Sequence, residues 1–383
     1  MKKIFFIVTL FSLLGLMPSL AQTRNVLSIP DFTVANSSDV ILPIDMENTS
    51  DVVAVQFTMN VPSGINVDAS SAQLNPSRKT DHNMTFRSIG NNKYMCIINS
   101  IRNEKLRGNE GILLTVPLTK TSSQDNFTCH ISLSDVVIAI ADGSDVVTDF
   151  HSGNIAFRSM ANQAVCGGTE SAGVDFYELS SLFDYSWSLK TIPGFIEGYM
   201  ENGRTTIPAM ILTNEGTETE TLKYNVDVTY GGTAIYSFEY GIAVRPLLLG
   251  AFFNFTPHNN AVVASNSINL SWNNIINAVY DVYLWKESED RPTAPIASNL
   301  TVTELNANRY CGLGETYMWY VVAHNECHEL VSETHKFTVR DLPDLHVTRV
   351  DCSDPVAGEN MTVEWTVKND GVGSTEDATW NDY

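Results

Sequence analysis

The sequence predicts an all-β protein, a tandem of β-sandwich domains of the immunoglobulin-like or jelly-roll kind. Three observations carry this. Nearly every segment either alternates apolar and polar residues with a period of two or is a short β-branched and aromatic run. Gly, Asn, Asp and Pro bound those runs. No stretch holds a helical period for about three turns. The length, 383 residues, predicts two or three domains.

Residues 1–22 read as a cleaved secretory leader: Lys2 and Lys3, an apolar centre from Ile4 to Leu16, then a small-residue site at Pro18-Ser19-Leu20-Ala21. No later run reaches the ~18 apolar residues of a membrane span. The formal charge is −21, and −23 for the mature chain once Lys2 and Lys3 are gone, with 21 basic against 44 acidic residues. So acidic a surface argues against nucleic acid as a partner, because that affinity comes largely from Lys and Arg on phosphates.

The strands at 41–47 and 52–61 organise the first domain, 23–158. Val53, Val55, Phe57, Met59 and Val61 point one way, and Ala54, Gln56, Thr58 and Asn60 the other. Asn48-Thr49-Ser50-Asp51 joins the two strands, and Pro62-Ser63-Gly64 ends the second. Cys96 and Cys129 alternate with apolar neighbours; a bridge between them is open, and two free core thiols are favoured. Ala141-Asp142-Gly143-Ser144-Asp145 lacks the remaining ligand positions of a calcium loop and reads as a hairpin turn. After a polar linker, residues 164–249 form a second domain, with strands suggested at 174–177, 185–189, 207–213, 222–230 and 234–244. Tyr185, Trp187, Phe195 and Tyr199 belong there to the core.

Residues 250–340 make the third domain. Alternation buries Tyr280, Val282 and Leu284 on one strand and Tyr317, Trp319, Val321 and Ala323 on another. The opposite parity turns Tyr283 and Trp285 outward, with Met318 and Tyr320 outward on an adjacent strand. Tyr283, Trp285 and Tyr320 are therefore the candidate binding residues: such a cluster can stack sugar rings, seat a protein partner or meet a neighbouring domain. His324-Asn325-Glu326-Cys327-His328-Glu329 has metal-ligand residue types but falls in a hairpin loop, without the helical i, i+4 spacing that aligns two imidazoles. No metal or other cofactor is predicted. Cys311 and Cys327 invite pairing, yet an extended strand holds their ends apart. No nucleophile elbow and no phosphate-cradling glycine loop occurs, and the 44 acidic residues nominate no catalytic pair.

Residues 26–158 resemble the cohesin-like β-sandwich domains of secreted bacterial surface proteins. The resemblance rests on the 41–61 strands, Arg78, Asp81 and His82, Tyr94 to Ser100, Gly108 to Leu114, and Ile131 to Val137. It implies a dockerin-like protein partner or a place in polysaccharide degradation, and transfers no contact residue. Residues 250–340 resemble a fibronectin type III module through Ile268 to Trp272, Tyr280 to Leu284 and Tyr317 to Asn325, which implies that Tyr317 hydrogen-bonds the backbone at a corner. Residues 341–383 resemble the truncated opening of a CARDB-type adhesion domain. Ile211 to Gly216 echoes Thr366 to Gly371, so the second domain is a candidate relative of the fourth. The expected function is that of a non-catalytic, exported multidomain surface protein, adhering, scaffolding or binding carbohydrate. The alternative is an accessory fragment of a secreted peptidase or glycoside hydrolase.

Overall fold

The computed structural model describes residues 25–373 and 375, apart from 147, 266, 267, 342 and 355. The leader region 1–22 and Trp380 lie outside them. The described chain is all-β: tandem β-sandwiches with three short 3-10 turns.

Residues 25–158 form two facing six-stranded sheets. One contains Asp39–Asn48 between Asn25–Ser28 and Ile112–Lys120. The other runs Phe32–Ala35, Gly153–Arg158, Phe127–Ile140, Val52–Asn60, Lys93–Asn99 and Asn83–Gly90. Asp39–Asn48 and Val52–Asn60 thus lie in different sheets, and the chain crosses the sandwich between them. Their inward parities meet in the core: Leu42, Ile44 and Met46 against Val55, Phe57 and Met59, all fully buried. Each such side chain contributes about 1.5–3 kcal/mol on burial. The crossing is held by polar bonds. Asn48 Nδ2 donates to Ser50 O at 2.9 Å, and the buried Arg78 donates through Nη2 to Asn48 Oδ1 at 2.6 Å and through Nη1 to Met46 O at 3.2 Å. Cys96 and Cys129 sit in this core as free thiols; burial pushes Cys129 up to about 11.

Residues 163–245 form the next unit. Glu220–Tyr230 and Thr233–Arg245 make a long hairpin, turned at Gly231-Gly232 with positive φ at both, the geometry a two-residue hairpin turn requires. Asp184–Leu189 pairs with Glu220–Tyr230. Its Trp187 packs on Gly203, where a Cβ would come within 2.3 Å of the indole. The expected strand at 174–177 stops early. Val174–Asp175 pairs, then the Asp175 carboxylate accepts the Tyr177 N–H and the chain turns into a 3-10 segment, Phe176–Glu178. Tyr185 and Trp187 are core, but Phe195 is 62 % exposed: it precedes the short strand Ile196–Glu197, in which Ile196 takes the buried position. Phe183 packs against Phe32 at a tilt, 5.1 Å between centroids, and Tyr236 Oη donates to Thr33 O at 3.1 Å. The cores of the first two units are continuous.

The third unit has its own core around Trp272, Tyr280, Trp319 and Phe337. The Tyr317 hydroxyl accepts the Gly312 N–H at 2.7 Å. Its main sheet runs Ala261–Val263, His335–Val339, Thr316–His324, Val279–Lys286 and Ala297–Leu300, with Glu329–Val331 beside Thr316–His324. Cys311 is free; Cys327 bridges instead to Cys166, 161 residues away, and so clips the third unit to the second. Around the bridge, Asn277 Nδ2 donates to Gly216 O and Leu247 O, and Arg245 pairs with Glu326 at 3.0 Å.

Leu345–Cys352 and Val363–Asn369 form an antiparallel ribbon. The echo between 211–216 and 366–371 has a structural counterpart. Asn214 Oδ1 accepts the Gly216 N–H at 2.9 Å, and Asn369 Oδ1 accepts the Gly371 N–H at 3.0 Å. Each Nδ2 then donates to the carbonyl four residues on. Both strands end in the same Asx turn.

Two outcomes follow from these cores. Alkylation under denaturing, non-reducing conditions should label four cysteines, rising to six after reduction, as read by intact mass; a different count contradicts the pairing. His335 is wedged against Phe255 and Trp319, at 4.0 and 5.7 Å, and burial pushes its pKa down, with Glu333 opposing and His258 adding to the shift. The unfolded chain therefore takes up the proton first. Stability of the third unit should fall as pH drops below about 6.5. Melting between pH 7.5 and 5 should show a shallower slope in His335→Leu; identical slopes would assign the dependence elsewhere.

Candidate functional site

The edge half of the second sheet of residues 25–158 presents a regular outer lattice. Register fixes its rows: Arg87, Met95, Thr58 and Ser134 lie side by side, then Thr85, Ile97, Gln56 and Val137, then Asn83, Asn99, Ala54 and Ala139. A β-bulge at Asp135-Val136 shifts the alternation of Phe127–Ile140 by one residue, so that Ile131 and Leu133 face the core before it and Ile138 after it, with Val137 40 % exposed on the outer side. Asn83–Gly90 is the sheet edge and is largely exposed.

The charge pattern of this lattice departs from the rest of the chain. Across Asn83–Gly90, Lys93–Asn99, Val52–Asn60 and Phe127–Ile140, Asp135 of the bulge is the single acidic residue, in a chain with 44. Arg87 and Lys93 bring positive charge, while Met95, Ile97 and Val137 bring apolar surface. Such a face repels neither an acidic nor a neutral protein surface and rewards burial of its centre.

The sequence nominated Tyr283, Trp285 and Tyr320 in the third unit, and the register does bring them together. Tyr283 lies directly opposite Tyr320, and Trp285 opposite Met318. The Tyr283 and Tyr320 rings stack 4.5 Å apart at 7°, and Trp285 meets Tyr320 edge-on at 5.9 Å. Tyr320 is not an open ring, however. The Arg291 guanidinium lies 4.0 Å over it, and with Tyr283 on the stack the residue is only 5 % exposed. Alternation correctly turned it away from the core, but the loop after Val279–Lys286 folds back and covers it. Met318 and Trp285 are half-buried.

Tyr283 also lines a cavity of about 430 Å³ that the sequence did not disclose. Asp281, Val322 and the loop His324 to Glu329 complete its wall. The loop's own groups are largely committed: Asn325 Oδ1 accepts the N–H groups of Cys327 and His328, both at 2.8 Å, its Nδ2 donates to Pro246 O, and Cys327 is in the disulfide. His324 Nε2 stands 3.4 Å from Asp281 Oδ1, which accepts the Asn299 N–H at 2.8 Å. Spacing gave one signal for this site, the polar hairpin loop. Its covalent tether to residue 166 left no local trace.

No family model matches the chain, and no curated protein matches it. Solved structures similar to about a third of it include cohesins. A non-cellulosomal cohesin from Archaeoglobus fulgidus is 16% identical, covering 36% of this chain and 92% of its own, with a TM-score of 0.30. The seventh ScaB type I cohesin from Pseudobacteroides cellulosolvens is 14% identical over 36% of this chain and 94% of its own, at 0.32. The cohesin of a type I cohesin–dockerin complex from Clostridium thermocellum is 10% identical over 36% and 96%, also at 0.32. Likenesses of this strength say nothing of a ligand.

Proposed function

We propose that this is a non-catalytic, exported surface protein whose first sandwich is a cohesin-like receptor for a protein partner. The observation that carries the reading is the outer lattice of residues 52–60, 83–90, 93–99 and 127–140: a semi-apolar sheet face with one acidic residue in a chain of net charge −21. Self-repulsion of a strongly acidic protein favours spreading carboxylates over the whole surface; a face kept nearly clear of them is suited to contact. Export is supported by the leader-like residues 1–22 and by the Cys166–Cys327 bridge, since disulfides persist in oxidising compartments. The remaining sandwiches present this face and carry a second, independent binding region.

The reading is tested by cross-linking the intact protein to secreted proteins of its source and mapping the links by mass spectrometry. Links should gather at Lys93 and its neighbours, and Ile97→Asp should cut capture of the linked partner by about tenfold or more, roughly the 1.4 kcal/mol that a buried charge at an interface core readily costs. The melting temperature should hold, because Ile97 points away from the core. Links concentrated elsewhere, or capture unmoved by Ile97→Asp, would reject this face.

A further inference from the structure

The cavity beside the disulfide loop of the third unit lies on a sheet face of a different domain and has its own chemistry. We infer that it is a binding site for a neutral saccharide, with the Tyr283 ring as its stacking wall. Its volume, about 430 Å³, falls in the roughly 300–1,000 Å³ range of small-molecule sites. A sugar ring offers two surfaces at once: a face of C–H groups and an equator of hydroxyls that both donate and accept hydrogen bonds. The cavity supplies a counterpart to each. The negative face of an aromatic ring suits C–H groups, and Tyr283 is the aromatic residue in the wall. Asp281 and Glu329 supply carboxylate acceptors, and His324 and His328 line the wall between them. Glu326 stands at the rim, already paired with Arg245.

The arrangement also assigns unequal roles to the aromatic trio. Tyr283 alone of the three lines the cavity. Tyr320, stacked behind it and covered by Arg291, is a buttress that fixes the ring plane, and Trp285 supports Tyr320 from the side. A pre-set aromatic plane costs less to order on binding than a free side chain. The carboxylates of Asp281 and Glu329 in one wall disfavour uronates and sulfated sugars, which leaves neutral sugars as the saccharide class that fits. The loop that closes the wall, His324 to Glu329, is held in place by the bridge from Cys327 to Cys166. The site is thus tied to the oxidised protein.

The test is affinity electrophoresis of the intact, oxidised protein through gels containing mixed-linkage β-glucan, xylan, glucomannan or galactan, with polygalacturonate and heparin as anionic counterparts. At least one neutral polysaccharide should retard the protein. Tyr283→Ala should remove the retardation about tenfold or more by apparent Kd, and Trp285→Ala should leave the larger part of it. Because Tyr283→Ala loosens the stack, Glu329→Arg is the companion: it blocks the cavity from an exposed position and should abolish retardation at an unchanged melting temperature. No retardation by any neutral polysaccharide, equal retardation of Glu329→Arg and parent, or retardation by the anionic gels alone would overturn the assignment. None of these outcomes touches Lys93 or Ile97, so failure here is distinct from failure of the receptor face.

Discussion

A buried guanidinium holds together the part of the molecule on which the rest is mounted. Arg78 is almost wholly inside the first sandwich, where an unpaired charge would cost several kcal/mol. It is stabilised by Met46 O, by Asn48 Oδ1 and by the nearby charge of Asp45. These groups all lie on Asp39–Asn48, the strand from which the chain leaves for the opposite sheet. Arg78 therefore fixes the end of one sheet and the start of the crossing at a single point. Its loop then leads into Asn83–Gly90, the edge strand of that opposite sheet.

The same strand carries the connection onward. Asp45 Oδ2 accepts the Tyr230 hydroxyl at 2.7 Å, from the tip of the second unit's long hairpin. Burial raises the Asp45 carboxyl above its ordinary range, while the Tyr230 bond and Arg78 pull it back. With Phe32, Phe183 and Tyr236 around it, this contact makes the first two units one body. The third unit is joined differently. Its core is separate, and the Cys166–Cys327 bridge with a few amide bonds fixes its place. Packing does the work at one junction and covalent chemistry at the other.

Much of this was legible in the sequence. The alternation of Val53 to Val61 and of Tyr280 to Leu284 gave the right faces, because side-chain parity in a strand is a local property. The break between the strands expected at 222–230 and 234–244 is the Gly231-Gly232 turn, and the echo between 211–216 and 366–371 is a pair of Asx turns; a few adjacent residues decide each. The departures occur where a neighbour distant in sequence intervenes. Phe195 looked like core beside Tyr185 and Trp187, yet it lies just before a two-residue strand whose Ile196 is buried in its place.

By itself, the sequence determined an all-β chain, which side of the strands around Val53 to Val61, Tyr280 to Leu284 and Tyr317 to Ala323 faces in, and that Tyr283, Trp285 and Tyr320 share an outer face. Those are consequences of a two-residue repeat and of turn chemistry, both carried by residues within reach of one another. Tertiary structure decided which strands are neighbours, that Arg291 closes over Tyr320, and that Cys327 takes Cys166 across 161 residues. It also decided that four strands scattered from residue 52 to 140 pool their outer positions into a face nearly free of acid. Pairing and coverage are set by the packing of the whole chain, and no local pattern encodes them.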